Sequence, residues 1–98
     1  MEKRTAHYKL SFVKDLIAAG KVRATLSALS GAAAQGCDFE GMLAVVKALT
    51  PADLYKSMTT YADHRIWQDV YHARTPNGEI YLKLTVLDEV LIVSFKEL

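Results

Sequence analysis

The chain has 98 residues, 51% of them apolar. That suits one hydrophobic core in a single domain spanning residues 1–98, and it excludes a disordered chain. With 12 Lys and Arg against 11 Asp and Glu, the net charge of +1 excludes a histone-like polybasic binder. No apolar run is long enough to span a bilayer, the start Met1-Glu2-Lys3-Arg4 lacks the apolar stretch of a secretory leader, and the lone Cys37 can form neither an internal disulfide nor a multi-cysteine zinc site, so a cytoplasmic protein is expected.

Charge is unevenly distributed along the chain. Lys3, Arg4, Lys9, Lys14, Lys21 and Arg23 crowd the first quarter, with Glu2 and Asp15 against them. Such a cluster either steers nucleic acid or an acidic partner, or is simply a solvated helix face. In chain order, Leu10, Val13, Leu16 and Ile17 recur at helical spacing after Ser11, a possible cap, and Gly20 can end that helix. Val22–Ala24 reads as a short extended piece. Thr25 then caps an alanine-rich helix reaching Gln35, terminated by Gly36 and weakened by about 1 kcal/mol through Gly31 in its interior. Asp38 caps a third helix with the apolar stripe Phe39, Met42, Val46 and Leu49, and Thr50-Pro51-Ala52-Asp53 reads as a capped single turn.

Strand signals fill the second half: Leu54–Thr60, Ile66–Tyr71, Glu79–Leu87 and Val90–Lys96. Helices first and strands after is the α+β pattern, with N-terminal helices packed on a C-terminal antiparallel β-sheet. Ile80, Leu82, Leu84 and Val86 alternate with Tyr81, Lys83, Thr85 and Leu87. After a tight turn at Asp88-Glu89, Leu91, Val93 and Phe95 alternate with Ile92, Ser94 and Lys96. Pairing Leu87 with Val90 sets Leu82 against Phe95 and Leu84 against Val93 on the core face, and Tyr81 against Lys96 on the other. A loop centred on Ala62 pairs Lys56 with Gln68. The next connection has two readings. A two-residue turn at Asn77-Gly78 leaves Gln68 several residues from Tyr81, whereas a longer loop from Ala73 with Gly78 as a bulge brings them opposite.

One sheet face thus gathers Lys56, Gln68, Tyr81 and Lys96, with no carboxylate among them. Cations, a phenol and an amide suit a polyanion whose phosphate is held and attacked without a metal. RNA can be cut by its own 2′-hydroxyl, provided the enzyme removes that proton, stabilises the phosphorane-like transition state and helps the 5′-oxygen leave. A lysine acting as base would need its pKa lowered, as a second lysine nearby encourages. The competing reading is an ordinary half-solvated sheet. His7, His64 and His72 have no metal-site spacing, and His72 is either a proton donor to this face or a solvated hairpin residue. Trp67 and Tyr71, opposite in parity to Gln68, read as core covered by the helices, whereas Tyr55 and Tyr61 fit either face.

The stretches Tyr55-Lys56-Ser57-Met58-Thr59-Thr60-Tyr61, Asp63-His64, Ile66-Trp67-Gln68-Asp69-Val70-Tyr71, Tyr81-Leu82-Lys83-Leu84-Thr85-Val86 and Val90-Leu91-Ile92-Val93-Ser94-Phe95-Lys96 resemble the MqsR family of bacterial toxins. So do Met1–Thr5 with His7, and Asp38–Met42; Leu26–Leu49 otherwise departs from the family's pattern. The resemblance implies a RelE-like fold and an mRNA interferase, the toxin of a type II toxin–antitoxin pair. Its partner would be an MqsA-type antitoxin with a zinc-binding domain and a helix-turn-helix domain. It further implies ribosome-independent cleavage of single-stranded mRNA, preferably at GCU, without metal or other cofactor. The family's active-site residues fall on Lys56, Gln68, Tyr81 and Lys96, with Met58 a candidate substrate contact. The rival expectation is a non-catalytic regulator that binds RNA or protein through the same face.

Overall fold

The computed structural model describes residues 1–98. In chain order the elements are β1 (Glu2–Lys3), α1 (Leu10–Ala18), β2 (Val22–Ala24), α2 (Leu26–Ala34), α3 (Phe39–Ala48), a 3-10 turn (Pro51–Asp53), β3 (Leu54–Thr59), β4 (Trp67–Thr75), β5 (Gly78–Leu87) and β6 (Glu89–Glu97). The expected α+β fold is present. Six strands form one sheet in the order β1-β3-β4-β5-β6-β2, antiparallel throughout except that β2 joins β6 in parallel at the edge. No helix is long and apolar enough to cross a membrane.

The three helices cover one face of the sheet. Val13 and Ile17 of α1, Ala28 and Ala32 of α2, and Met42 and Val46 of α3 meet Tyr71, Leu82, Leu84, Ile92 and Phe95 in a continuous buried cluster. Gly31 is what lets α2 lie so close: a Cβ there would stand 1.8 Å from the carbonyl oxygen of Phe95. Read from the sequence as a weak point in a helix, this glycine is a contact point between helix and strand. Thr25 caps α2 as expected, accepting from the amide of Ala28 at 3.0 Å while its hydroxyl donates to the Val93 carbonyl at 2.8 Å. Asp38 caps α3 by accepting from the Gly41 amide at 2.8 Å.

The start of α1 differs from expectation. The helix begins at Leu10, before Ser11, and its first residues have no side-chain cap. Instead the fully buried Asp69 of β4 accepts the amides of His7 and Tyr8, each at 3.0 Å. A carboxylate in the sheet therefore anchors the segment that precedes the helix. That segment also covers Trp67, whose ring stacks on His7 at 5.1 Å under the ammonium of Lys3 at 4.2 Å. Tyr71 is core, as expected, but Trp67 is half-buried and roofed by the N-terminal segment, not by the helices.

Two registers also differ. Leu82 faces Phe95 and Tyr81 faces Lys96 as expected, but a bulge shifts the pairing beyond Lys83, so that Leu84 faces Ile92 and Leu87 faces Glu89. The core face of β6 is accordingly Val90, Ile92 and Phe95, with Leu91 and Val93 only half-buried. Asp88 alone makes the turn, at a positive φ of 65° that an Asp tolerates better than most residues. At the other hairpin, Thr75 pairs with Gly78, leaving Pro76-Asn77 as the two-residue loop.

Candidate active site

The sheet face away from the helices is organised as rows running across the strands, because side chains of paired residues share a face. One row holds Lys56 on β3, Val70 on β4, Lys83 on β5 and Ser94 on β6. The next holds His72, Tyr81 and Lys96. On the far side of Val70 lies a third row of Glu2, Met58 and Gln68. All four residues singled out from alternation therefore lie on one face, with Met58 beside them.

Their neighbours are not those expected. Lys56 pairs with Val70, and Gln68 pairs with Met58. The connection between β3 and β4 turns about Asp63, where a carboxylate oxygen accepts the Arg65 amide at 2.9 Å and the Thr60 hydroxyl donates to the Asp63 carbonyl at 2.7 Å. A bulge between Leu54 and Lys56 adds a further shift. With the tight Pro76-Asn77 turn, Tyr81 faces His72, and Gln68 lies four residues away along β4, about 13 Å. Tyr81 and Lys96 thus form one end of the site and Gln68 the other, with the Lys56–Lys83 row between.

The face is not free of carboxylates. Strand β1, too short for any periodic signal, brings Glu2 alongside β3, where its Oε1 lies 2.6 Å from Lys56 Nζ. This pair holds the Glu2 carboxyl below its usual range and raises the Lys56 ammonium above its own. Lys56 is consequently a fixed cation and a poor base. Lys83, absent from the set read from the sequence, behaves in the opposite way: burial first, and Lys96 second, push its pKa down. Alternation could have found it, since it stands two residues beyond Tyr81 with the same parity.

Aromatic rings link the cations across the sheet. The Arg4 guanidinium lies 5.5 Å from the Tyr55 ring, which the Leu54/Lys56 bulge places on this face. Tyr55 stacks on His72 with centroids 4.3 Å apart and planes 16° apart. His72 lies 6.4 Å from Tyr81, and Lys96 Nζ sits 5.1 Å from the Tyr81 ring. Beneath these side chains Val70 is completely covered. A band of alternating π-faces and cations is the arrangement by which proteins track a single-stranded nucleic acid, with rings for bases and ammonium groups for phosphates. No group of three or more His, Cys, Asp or Glu side chains is placed to hold a metal.

The profile of the motility quorum-sensing regulator family, described as the toxin of MqsA, matches residues 5–97. The chain belongs to that family. It is 60% identical over 97 residues, 99% of each chain, to the mRNA interferase toxin MqsR of Escherichia coli (strain K12). The family of motility quorum-sensing regulators thus includes a toxin named for attack on mRNA, and the resemblance drawn from the strand segments extends through the helices as well.

Proposed function

We propose that this protein is an mRNA interferase, the toxin of a toxin–antitoxin pair, and that it cuts single-stranded RNA on the exposed face of its sheet. The observation that carries the reading is family membership over nearly the whole chain together with 60% identity to a named mRNA interferase. Lys56 and Lys96 hold and charge-stabilise the scissile phosphate, acting as preorganised cations where negative charge develops. Tyr81, between His72 and Lys96, orients the reacting oxygens at one end. Gln68 and Met58, paired on β4 and β3, contact the RNA farther along its path. The nucleophile is the RNA's own 2′-hydroxyl. A face rich in cations supports this, with its carboxylates engaged elsewhere, Glu2 by Lys56 and Glu79 by Arg74. Cleavage at GCU, independence of the ribosome, a cytoplasmic location and an antitoxin built from zinc-binding and helix-turn-helix domains are the finer parts of the proposal.

Induced expression tests the reading. Growth arrest with loss of bulk mRNA is expected, relieved by co-expression of an MqsA-type antitoxin and abolished by Lys96→Ala. Growth unaffected by the wild-type protein at high expression would contradict it. RNA binding without cleavage by the purified chain would make the face the contact surface of a regulator.

A further inference from the structure

Charge stabilisation by Lys56 and Lys96 leaves two proton transfers without an owner. The 2′-hydroxyl must lose a proton as it attacks, and the 5′-oxygen must gain one as it leaves. Lys56 is unsuited to either transfer: its pairing with Glu2 raises its pKa, so it arrives already protonated and gives that proton up reluctantly.

Of the three histidines, His7 is stacked on Trp67 on the opposite face and shares a 2.9 Å hydrogen bond with Lys3, and His64 lies in the loop between β3 and β4. His72 is the one imidazole on the site face. It is fixed by its stack on Tyr55 and faces Tyr81 across the β4–β5 pair. Its ring opens on a cleft of about 480 Å³ whose walls include Tyr55, Asp53, Arg74 and Glu79. A ring held by stacking keeps its nitrogens free for a ligand. An imidazole is also the side chain suited to giving up a proton near neutral pH.

Lys83 is the diagonal neighbour of His72: it pairs with Val70, two residues before His72, and stands two residues beyond Tyr81, the partner of His72. Diagonal neighbours on one face lie about 7–8 Å apart. In an in-line displacement the entering and leaving oxygens stand on opposite sides of phosphorus, so their proton carriers must flank the phosphate. A diagonal pair with Lys56 and Lys96 to either side meets that requirement.

The geometry points to His72 as the general acid and Lys83 as the general base of the cleavage, an assignment that rests on the nuclease reading above. The neutral Lys83 amine takes the 2′-hydroxyl proton as the bond from O2′ to phosphorus forms. The bond from phosphorus to O5′ then breaks, and the His72 imidazolium gives its proton to the departing 5′-oxygen. The products are a 2′,3′-cyclic phosphate and a 5′-hydroxyl, with the pair left as ammonium and neutral imidazole; exchange with solvent resets both. Burial first, and Lys96 second, lower the Lys83 pKa, the direction its part calls for.

A bridging 5′-phosphorothiolate tests the assignment, since a thiolate leaves without being protonated. Single-stranded RNA and the same RNA with sulfur in place of O5′ are cleaved by the wild type, by His72→Phe, which keeps a flat ring over Tyr55, and by Lys83→Met. His72→Phe should lose about 10²–10⁴-fold on ordinary RNA while staying within about 3-fold of the wild type on the thiolate substrate; Lys83→Met should lose activity on both. His72→Gln repeats the comparison should the phenylalanine variant fail to fold. Equal losses of the His72 variants on both substrates, or none on either, would overturn the acid, and full activity of Lys83→Met would overturn the base. A wild type that cleaves neither substrate would defeat the nuclease reading itself, and this assignment with it.

Discussion

Lys56 shows how far one side chain's neighbours decide its chemistry. A second lysine on the same face favours lowering Lys56 into a base, but the Glu2 carboxylate 2.6 Å away has the opposite effect. As a permanent cation, Lys56 should contribute to transition-state stabilisation, so Lys56→Ala is expected to lower kcat by about 10²–10³-fold, the usual range for one preorganised donor, measured under single-turnover conditions. The Glu2–Lys56 pair is solvent-screened, so Glu2→Gln should leave the unfolding free energy nearly unchanged. The sign follows from the lowered Glu2 carboxyl. Its small contribution is present above the ordinary carboxyl value of 4.5 and lost as pH falls through the lowered one, so wild type and Glu2→Gln should converge in acid. The parity of Lys56, Gln68, Tyr81 and Lys96 was legible in the sequence because alternation alone fixes which face a residue takes. Glu2 was not, because a two-residue strand has no period to read. Arg4 and Tyr55 were not either, since one lies outside any strand and the other sits at a bulge.

Among the elements, close contacts between helix, strand and N-terminal segment account for most of what periodicity missed. Gly31→Ala should destabilise the fold by about 1–3 kcal/mol or more through overpacking, because its Cβ would meet the Phe95 carbonyl at 1.8 Å; urea unfolding measures this. A glycine read only through helix propensity would predict a gain of about 1 kcal/mol instead, so the two accounts differ in sign. Asp69 offers the second test. Its two oxygens each accept one amide, and Asn has one acceptor oxygen, so Asp69→Asn should cost about 1–3 kcal/mol and loosen the cover over Trp67, visible as a red shift in tryptophan fluorescence. Apart from β1, element types and order were readable from hydrophobic period and caps. Registers failed at two places: the β3–β4 loop turns about Asp63, which sets Gln68 against Met58 instead of Lys56, and the Lys83/Leu84 irregularity moves Ile92 into the core where Val93 was expected.

Across the whole molecule, the N-terminal basic cluster separates into different tasks. Lys14 donates to the Leu49 carbonyl at 2.6 Å, and Arg23 is paired with Glu89, so these two serve the fold. Arg4, by contrast, extends the site face over Tyr55. Two to three cations among Arg4, Lys56 and Lys96 contacting phosphates predict that log K for single-stranded RNA falls with log salt at a slope of about −1.4 to −2; a slope near zero would mean that the face does not hold the backbone. At the far side of the sheet, burial raises the Tyr71 phenol to about 12. A raised value means that the contribution to stability is whole below the ordinary phenol value of 10.0 and lost as pH climbs through the folded one. Unfolding free energy should therefore drop by up to about 1.4 kcal/mol per pH unit in that window, and Tyr71→Phe should flatten the slope. The most direct test of the account is cleavage of a single-stranded RNA carrying one GCU by the purified protein in EDTA, with both product ends mapped. A 2′,3′-cyclic phosphate and a 5′-hydroxyl, formed by the wild type and not by Lys96→Ala, are predicted. A 3′-hydroxyl with a 5′-phosphate, or cleavage that EDTA abolishes, would contradict it.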